Sequence, residues 1–247
     1  MQKSLENETI IITGGGSGLG KAMADLLILT GAKVIVLSRK PVNFSAKNVI
    51  NICGDATDKE FIFKTVEEFK PTILIFNAGA TPVMAPLDEQ TWDTFSTVWN
   101  NDVKAGLYGM QAALKIPLAK GTQVLVTSSG AALVGAPLSG SYAGAKRMLW
   151  FMAQHANEIS AQKKLDIRFQ IIAPMQMIGE TKLAQTVAGA YAQRSGISVE
   201  EHIEKRYGKP MSAHEYAQHV ITLLKDTSYD GDAYGVNQQS GIFLIKN

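Results

Sequence analysis

The chain has 247 residues and a mass of 26.7 kDa, a length that one α/β domain can reach. Its composition, with 46% hydrophobic and 19% charged residues, is that of an ordinary globular protein with an ample core. The net charge of +2 gives no reason to expect a nucleic acid or an anionic membrane as partner. No apolar run is long enough to cross a bilayer, and residues 1–8 lack the apolar core of a signal peptide. We therefore expect a cytoplasmic protein, and the single cysteine, Cys53, fits a reducing compartment.

Apolar, β-branched runs alternate with helical patterns along most of the chain. Strands are predicted at residues 9–12, 33–37, 48–52, 72–76, 123–127 and 166–172, and helices at residues 21–30, 58–69, 88–119 and 141–162. Strands separated by helices form parallel sheets with right-handed crossovers, so the fold class is α/β. We find no linker or repeat and predict a single domain over residues 1–247. Cys53 ends an apolar run and is interpreted as a core residue.

A glycine-rich turn follows the first predicted strand and precedes the first helix. Gly14, Gly18 and Gly20 give the spacing Gly-x-x-x-Gly-x-Gly. Glycine permits positive φ and close backbone approach, and a helix start offers unpaired N–H groups and a positive dipole end to an anion. The flanking strand and helix favour a nucleotide-binding site, whereas the glycines alone would also fit a flexible turn.

Three side chains suited to proton transfer follow the later strands. Tyr142 and Lys146 are four residues apart on a predicted helix and share one face. Ser129 closes the fifth strand, at the sheet edge where the glycine turn also lies and where ligands of such sheets bind. By itself the Tyr–Lys pair would be read as a solvated lysine beside a packed tyrosine. With Ser129 and the glycine turn, it indicates a catalytic site beside a nucleotide.

These motifs together resemble the short-chain dehydrogenase/reductase family. The resemblance covers residues 8–175 and rests on Thr13-Gly14-x-x-x-Gly18-x-Gly20, Asn77-Ala78-Gly79, Ser129 and Tyr142-x-x-x-Lys146. It implies a doubly wound Rossmann domain with a parallel, seven-stranded sheet, and an oxidoreductase that acts on CH–OH groups with a nicotinamide cofactor. The cofactor-binding part would span about residues 8–130, and the catalytic part and substrate lid about residues 129–225.

The resemblance also implies residue roles. Ser129 would hydrogen-bond the substrate oxygen, Tyr142 would be the general acid/base, and Lys146 would bind the nicotinamide ribose and promote ionisation of Tyr142. Asp55 matches an adenine-ring contact, with an N-cap of the following helix as the alternative. The other implied cofactor contacts are Thr13, Gly14, Gly16, Ser17, Gly18, Leu19, Gly20, Ala56, Asn77, Ala78, Gly79, Pro174 and Met177.

The end of the second strand indicates which nicotinamide cofactor is used. An acidic residue there would bind the adenosine 2′-hydroxyl and repel a 2′-phosphate. This chain has Ser38 followed by Arg39, and a hydroxyl and a guanidinium suit a phosphate dianion. We predict NADP(H) over NAD(H); the alternative is a solvated basic loop.

The chain departs from the family pattern at several positions. An asparagine is usual in the helix after strand four, but the alignment places Asp102 there, with Asn101 one residue before. These neighbours point about 100° apart on a helix, so only one can face the site. If Asp102 is the one, its carboxylate would hold Lys146 charged but would partly offset the effect of the lysine on Tyr142. After strand six, Met175 stands for a usual glycine and Gly179 for a usual threonine, for which Thr181 is a possible substitute.

Residues 180–210, here called the lid, correspond to the family's variable substrate-binding segment. They predict two helical pieces broken near Ser195-Gly196, with an apolar face that suits a small or medium apolar carbonyl compound or equally well core packing. The histidines lack metal-ligand spacing, so we expect surface or capping roles for them and no metal. The helices at residues 88–119 and 141–162 correspond to family subunit contacts, and we expect a homotetramer or a homodimer.

Two competing functions come from other classes. A nucleotide-binding sensor or scaffold of the same fold would explain Asp102 and Met175, although Ser129, Tyr142 and Lys146 are intact. A sugar-nucleotide epimerase or dehydratase usually needs a longer C-terminal substrate domain and a different glycine spacing.

Overall fold

The protein forms one eight-stranded sheet in the order β3-β2-β1-β4-β5-β6-β7-β8, in a computed structural model that describes residues 2–246. Every pairing from β3 to β7 is parallel, and β8 alone runs antiparallel, beside β7. The strands are β1 (Thr9–Thr13), β2 (Lys33–Ser38), β3 (Val49–Cys53), β4 (Ile73–Phe76), β5 (Gln123–Thr127), β6 (Arg168–Pro174), β7 (Ala233–Asn237) and β8 (Gly241–Leu244). The doubly wound α/β prediction is confirmed, with one antiparallel strand more than the seven expected.

The helices connect the strands across both faces of the sheet. They are α1 (Gly18–Ile28), α2 (Lys59–Phe69), α3 (Trp92–Val98), α4 (Lys104–Lys115), α5 (Ala131–Val134), α6 (Gly140–Gln162), α7 (Lys182–Ser195), α8 (Val199–Tyr207) and α9 (Ala213–Lys225). A π turn, Trp99–Val103, joins α3 to α4, so the predicted helix over residues 88–119 is a composite that ends at Lys115.

Strand alternation divides the core between the two faces of the sheet. In β1, Ile10 and Ile12 pack with α1 and α9, whereas Ile11 packs with α2, α4 and α6. All three side chains are at most 1% exposed. Burial of a side chain of this size contributes about 1.5–3 kcal/mol, so β1 stabilises both layers at once.

The edges of the sheet correct one prediction. Cys53 ends β3 and was expected in the core, but its side chain is exposed. The reason is that Cys53 is the last residue of β3, an edge strand that pairs only with β2 and whose outer side no further strand covers. At the opposite edge of the sheet, β8 pairs antiparallel with β7, to which a turn at residues 237–241 joins it.

Candidate active site

The glycine turn contacts the loop after β4 at the carboxyl edge of the sheet. The Thr13 hydroxyl accepts hydrogen bonds from the N–H groups of Asn77 and Ala78, each at 3.1 Å. Gly14 has φ +69°, and a Cβ there would lie 2.8 Å from the Ala78 Cα. The predicted motifs around Thr13 and Asn77 therefore form one packed unit.

The start of α1 is shaped for a phosphate. A Cβ on Gly20 would lie 2.1 Å from the Gly14 carbonyl oxygen and 2.6 Å from the Asn77 side-chain nitrogen, so the turn closes only with glycine at this position. Ser17 is the N-cap, and within residues 2–246 its side chain makes no capping hydrogen bond. The first-turn N–H groups of an 11-residue helix are thus left for an anion, which fits a dinucleotide cofactor.

Asp55 and Arg39 come together at the ends of β3 and β2. The N–H of Thr57 donates to the Asp55 carboxylate at 2.8 Å; this bond, with a smaller contribution from the nearby Arg39 guanidinium, lowers the pKa of Asp55 against the opposing effect of burial. The N-cap of α2 is Asp58, whose carboxylate accepts from the N–H groups of Glu60 and Phe61. The N-cap alternative for Asp55 is therefore wrong, and its adenine contact stays a prediction.

Lys146 lies at the centre of the candidate catalytic group. Its ammonium is 3.0 Å from Asp102 Oδ2, donates to the Thr127 carbonyl at 3.3 Å and lies 5.6 Å from the centre of the Tyr142 ring. Lys146 is 4% exposed and Asp102 2%. Burial opposes the charge of Lys146, but the Asp102 carboxylate, helped by Tyr142, outweighs it and raises the pKa of Lys146. The lysine is held as a cation.

The π turn decides which of two neighbours faces Lys146. Asp102 Oδ1 accepts from the Ala80 N–H at 2.7 Å, while its Oδ2 pairs with Lys146. The Asn101 side chain instead donates to the Thr97 carbonyl at 2.8 Å. The structure thus places Asp102 rather than Asn101 toward Lys146. Asp102 also connects the loop after β4 to the lysine.

The end of β5 is fastened to α6 through the same lysine. The Ser128 hydroxyl donates to the Lys146 carbonyl at 3.0 Å, and the following Ser129 accepts from the Ala131 N–H at 3.2 Å. The Trp99 indole N–H, from the π turn, donates to the carbonyl of Ser141 on α6 at 3.2 Å. These bonds fix the start of α6, which carries Tyr142, against the strand end that carries Ser129.

Tyr216 was not anticipated at this site. It lies on α9, is 0% exposed, and burial raises its pKa, an effect to which the nearby Tyr142 adds. The spacing of apolar residues in α9 could have indicated a core aromatic. The proximity of its hydroxyl to Tyr142 depends on how α9 crosses the sheet, which no local pattern shows.

The segment after β6 approaches both the β5 loop and the glycine turn. The Gly130 N–H donates to the Pro174 carbonyl at 3.0 Å, and the Met177 carbonyl accepts from the Met211 N–H at 2.9 Å. The Thr181 methyl group lies 3.7 Å from the position of a Cβ on Gly18, while its hydroxyl accepts from the Ala184 N–H to cap α7. Thr181 therefore reaches the glycine turn through its methyl group.

The lid consists of α7 and α8, broken at Gly196 with φ +65°, as predicted. His202 stacks on Tyr191 at 5.8 Å and meets Tyr207 edge-on at 5.8 Å. His202 is only 9% exposed, so the expected surface or capping role is wrong for it, because both tyrosines enclose its ring. The Leu138 N–H donates to the Tyr191 hydroxyl at 3.3 Å and ties the lid to the β5–α6 loop.

A cleft of about 450 Å³ separates the lid from the ends of β6 and β7. Met175 forms part of its wall and packs against the Ser129 loop, with its sulfur 3.4 Å from the position of a Cβ on Gly130. Tyr207 lines the lid side, and Gln176 and Gln238, which hydrogen-bond each other at 2.8 Å, line the strand side. The cleft is lined mainly by polar and charged side chains, and among the described residues Met175 alone connects it to the Ser129 loop.

Comparison with known proteins places the chain in a family. The short chain dehydrogenase family matches residues 8–190. The 2,5-dichloro-2,5-cyclohexadiene-1,4-diol dehydrogenase of Sphingobium indicum is 27% identical over 91% of this chain and 92% of its own length. The cis-2,3-dihydrobiphenyl-2,3-diol dehydrogenase of Rhodococcus globerulus is 30% identical over 69% of this chain and 65% of its own length.

Solved structures share the fold. A short chain dehydrogenase family protein from Francisella tularensis superposes with a TM-score of 0.80 at 22% identity, over 93% of this chain and 97% of that one. A Burkholderia cenocepacia short chain dehydrogenase in complex with NADP gives 0.74 at 18% identity, over 96% and 90%. The 3-ketoacyl-(acyl-carrier-protein) reductase of Brucella melitensis, complexed with NADH, gives 0.77 at 21% identity, over 96% and 99%.

The chain belongs to the short-chain dehydrogenase/reductase family and is an oxidoreductase that acts on CH–OH groups with NAD(P) as acceptor. Within the described residues, no helix is both long and apolar enough to span a bilayer.

Proposed function

We propose that the protein is an NADP(H)-dependent oxidoreductase that transfers hydride between the nicotinamide and an alcohol/ketone or aldehyde substrate, with Tyr142 as general acid/base. The observation that carries the proposal is the buried Asp102–Lys146 ion pair beside Tyr142, at the edge that also holds the glycine turn. The Lys146 cation stands where negative charge develops as Tyr142 transfers its proton to the substrate oxygen, although the Asp102 carboxylate partly offsets this effect.

When bound, the nicotinamide supplies the hydride donor or acceptor. Tyr142 gives its proton to the substrate oxygen in reduction and takes it back in oxidation, while Ser129 hydrogen-bonds that oxygen. Lys146 keeps its charge in both directions because the Asp102 carboxylate favours the charged form of the lysine. The fixed cation stabilises the developing negative charge without reorganisation.

The cofactor would lie along the carboxyl edge of the sheet. Its pyrophosphate fits the start of α1, and its nicotinamide ribose fits Lys146, so residues 8–130 form the binding part and residues 129–225 the catalytic part and lid. The remaining contacts we propose are Thr13, Gly14, Gly16, Ser17, Gly18, Leu19, Gly20, Ser38, Arg39, Asp55, Ala56, Asn77, Ala78, Gly79, Tyr142, Pro174 and Met177.

The preference for NADP(H) rests on this chain's own residues, since the structural neighbours include complexes with NADP and with NADH. Ser38 ends β2 where an acidic residue would select NAD(H), and Arg39 follows it with an exposed side chain. A guanidinium offers a 2′-phosphate charge and paired donors.

The substrate we favour is a small or medium apolar ring compound bearing a hydroxyl or carbonyl group. Two of the relatives are dehydrogenases of cyclic diols. In this chain Leu133 and Val134 are exposed at the β5–α6 loop by 40% and 86%, and Met175 lines the neighbouring cleft. Apolar side chains at such a position gain from covering an apolar ring.

We also propose a homotetramer, or else a homodimer, in the cytoplasm. The proposal is supported by exposed apolar side chains on the two helices that correspond to family subunit contacts, Leu107 on α4 and Phe151 on α6, which are 40% and 42% exposed. A reducing compartment agrees with Cys53, which has no second cysteine in the chain to pair with.

The Tyr142→Phe variant tests the proposal. We expect NADPH-dependent reduction of apolar cyclic ketones such as cyclohexanone to fall roughly 10²–10⁴-fold in kcat, because the proton carrier is lost. NADPH affinity, measured by fluorescence titration, should stay close to that of the wild type. Tyr229→Phe is the matched control, since it removes a phenol hydroxyl just before β7, away from the carboxyl edge. Equal residual rates in wild type and Tyr142→Phe would refute the role of Tyr142 as proton carrier and favour a nucleotide-binding sensor.

A further inference from the structure

The side chain of Asn51 hydrogen-bonds three residues of β2 and of the loop that follows it. It lies in β3, and its amide nitrogen donates to the Val36 carbonyl at 3.0 Å and to the Ser38 hydroxyl at 2.8 Å. Its amide oxygen accepts from the Val42 N–H at 2.8 Å. Both amide protons and one oxygen lone pair are used, so rotation of the side chain would break all three bonds.

The bonds fix the loop over residues 38–42. Ser38 passes the connection on, because its hydroxyl accepts from Asn51 and donates to the Lys40 carbonyl at 2.7 Å. Asn51 therefore holds the first residue of the loop, acts on its middle through Ser38, and holds its last residue, Val42, directly. A five-residue surface loop without such ties would have to be ordered when a ligand binds.

The same loop packs on the glycine turn. A Cβ on Gly16 would lie 2.9 Å from Val42 Cγ2 and 3.1 Å from Ser38 Cβ. The loop therefore packs directly against the glycine turn at Gly16.

The loop carries two exposed cations, Arg39 and Lys40. Neither enters any of the ion pairs found among residues 2–246. Arg39 lies near Asp55 and lowers the pKa of its carboxyl, but the two side chains do not form an ion pair. The positive charge at this end of β2 is thus free to meet a dianion.

We propose that Asn51 is a positioning residue for the adenosine 2′-phosphate of the cofactor. It holds the Ser38–Val42 loop so that the Arg39 and Lys40 charges are already in place against the glycine turn. The inference rests on the proposed NADP(H) preference. It makes Asn51 a determinant of the choice between NADPH and NADH, since only the 2′-phosphate depends on those charges.

The test compares Asn51→Ala with Asn48→Ala. Asn48 also stands at β3 and donates two hydrogen bonds, to the Ile28 and Ala32 carbonyls at 2.9 and 2.8 Å, but at the amino end of the strand. Dissociation constants are measured for NADPH and NADH, and by competition for 2′,5′-ADP and 5′-AMP. For Asn51→Ala we expect about tenfold weaker NADPH and 2′,5′-ADP with NADH and 5′-AMP changed less than about twofold, whereas Asn48→Ala should leave the ratio unaltered.

A double variant separates positioning from general damage. If Asn51 acts through Ser38, then the double variant Asn51→Ala/Ser38→Ala loses less NADPH affinity than the sum of the two single losses, because both substitutions remove the same connection. Additive losses, or an equal loss for NADPH and NADH, would overturn the inference. If Asn51→Ala does not fold, Asn51→Thr keeps a strand-forming residue with one donor and should show a smaller loss in the same direction.

The wild-type titrations tell the two proposals apart. A wild type that binds neither NADPH nor NADH refutes the proposed function. A wild type that binds NADH as tightly as NADPH leaves the oxidoreductase standing and overturns the role of Asn51. Tight NADPH binding with an unchanged cofactor ratio in Asn51→Ala also overturns that role.

Discussion

The cofactor side of the carboxyl edge and the lid hold their side chains in different ways. On the cofactor side, backbone meets backbone with no spare room, as at Gly14 and Gly20, and a buried ion pair joins Asp102 to Lys146. The lid is held by ring contacts around His202 and by the bond from Leu138 to Tyr191, and Gly189 in α7 has open space around it. The two regions thus differ in what holds them, since close backbone contacts and a buried ion pair hold the cofactor side, whereas ring contacts and a hydrogen bond hold the lid.

The largest expected effect of breaking the cofactor side comes from Asp102→Asn. The variant leaves the buried Lys146 without its counter-charge, and we expect a loss of about 3–5 kcal/mol in the free energy of unfolding at neutral pH. Urea denaturation measures it. Glu201→Gln removes an exposed ion pair in the lid, with Lys205 at 2.6 Å, and should cause no measurable loss.

The pH dependence of the free energy of unfolding tests the same ion pair independently. In the wild type the pKa of Lys146 is raised above 10.5, so the pair's stabilisation is fully present below pH 10.5 and is lost as the pH rises through the folded value. In Asp102→Asn burial is opposed only by the smaller effect of Tyr142, so we expect the pKa of Lys146 to fall below its ordinary value and stability to rise with pH toward that value. A variant with the wild-type slope would contradict this account.

A smaller effect is expected for Gly20→Ala. Its Cβ would collide with the Gly14 carbonyl oxygen, so we expect about 1–3 kcal/mol of destabilisation together with a loss of NADPH affinity. Gly189→Ala is the control in the lid. Because nothing lies within 4 Å of its Cβ position, the better helix propensity should stabilise that variant slightly. Thermal denaturation and NADPH titration of both variants would show whether the contrast holds.

The smallest effect is expected in the lid itself. Tyr191→Phe removes the acceptor of the Leu138 N–H, a loss of about 0.5–1.5 kcal/mol. We expect KM for an apolar ketone to rise while kcat stays near the wild-type value, since the proton-transfer residues are untouched. Tyr229→Phe serves as control, because it removes a phenol hydroxyl outside the lid and the cleft. A fall in kcat with constant KM would mean that the lid takes part in the chemistry.

Local patterns were enough for the elements that carry the site. The bounds of β5, Gln123–Thr127, and the break of the lid at Gly196 are as predicted, because apolar runs and glycine are local signals. Whether Asn101 or Asp102 faces Lys146 was not readable, since the π turn departs from the usual helical period. The exposure of Cys53 and the burial of His202 depend on strand order and on how the lid helices pack. The cofactor and catalytic roles of individual residues stay predictions.

The π turn, Trp99–Val103, has a consequence for how the site can vary. One extra residue per turn shifts the phase of everything downstream by about 100° relative to an ideal helix. α3 and α4 are continuous, but the π turn rotates the residues after it relative to those before it. The contact of Trp99 with Ser141 before this rotation and the contact of Gly106 with Leu149 after it therefore do not follow one helical repeat. With α3 held in place, deletion of one residue between Trp99 and Asp102 would turn the Asp102 side chain away from Lys146 without changing either side chain. The counter-charge of the lysine is thus set by helical phase as much as by residue identity.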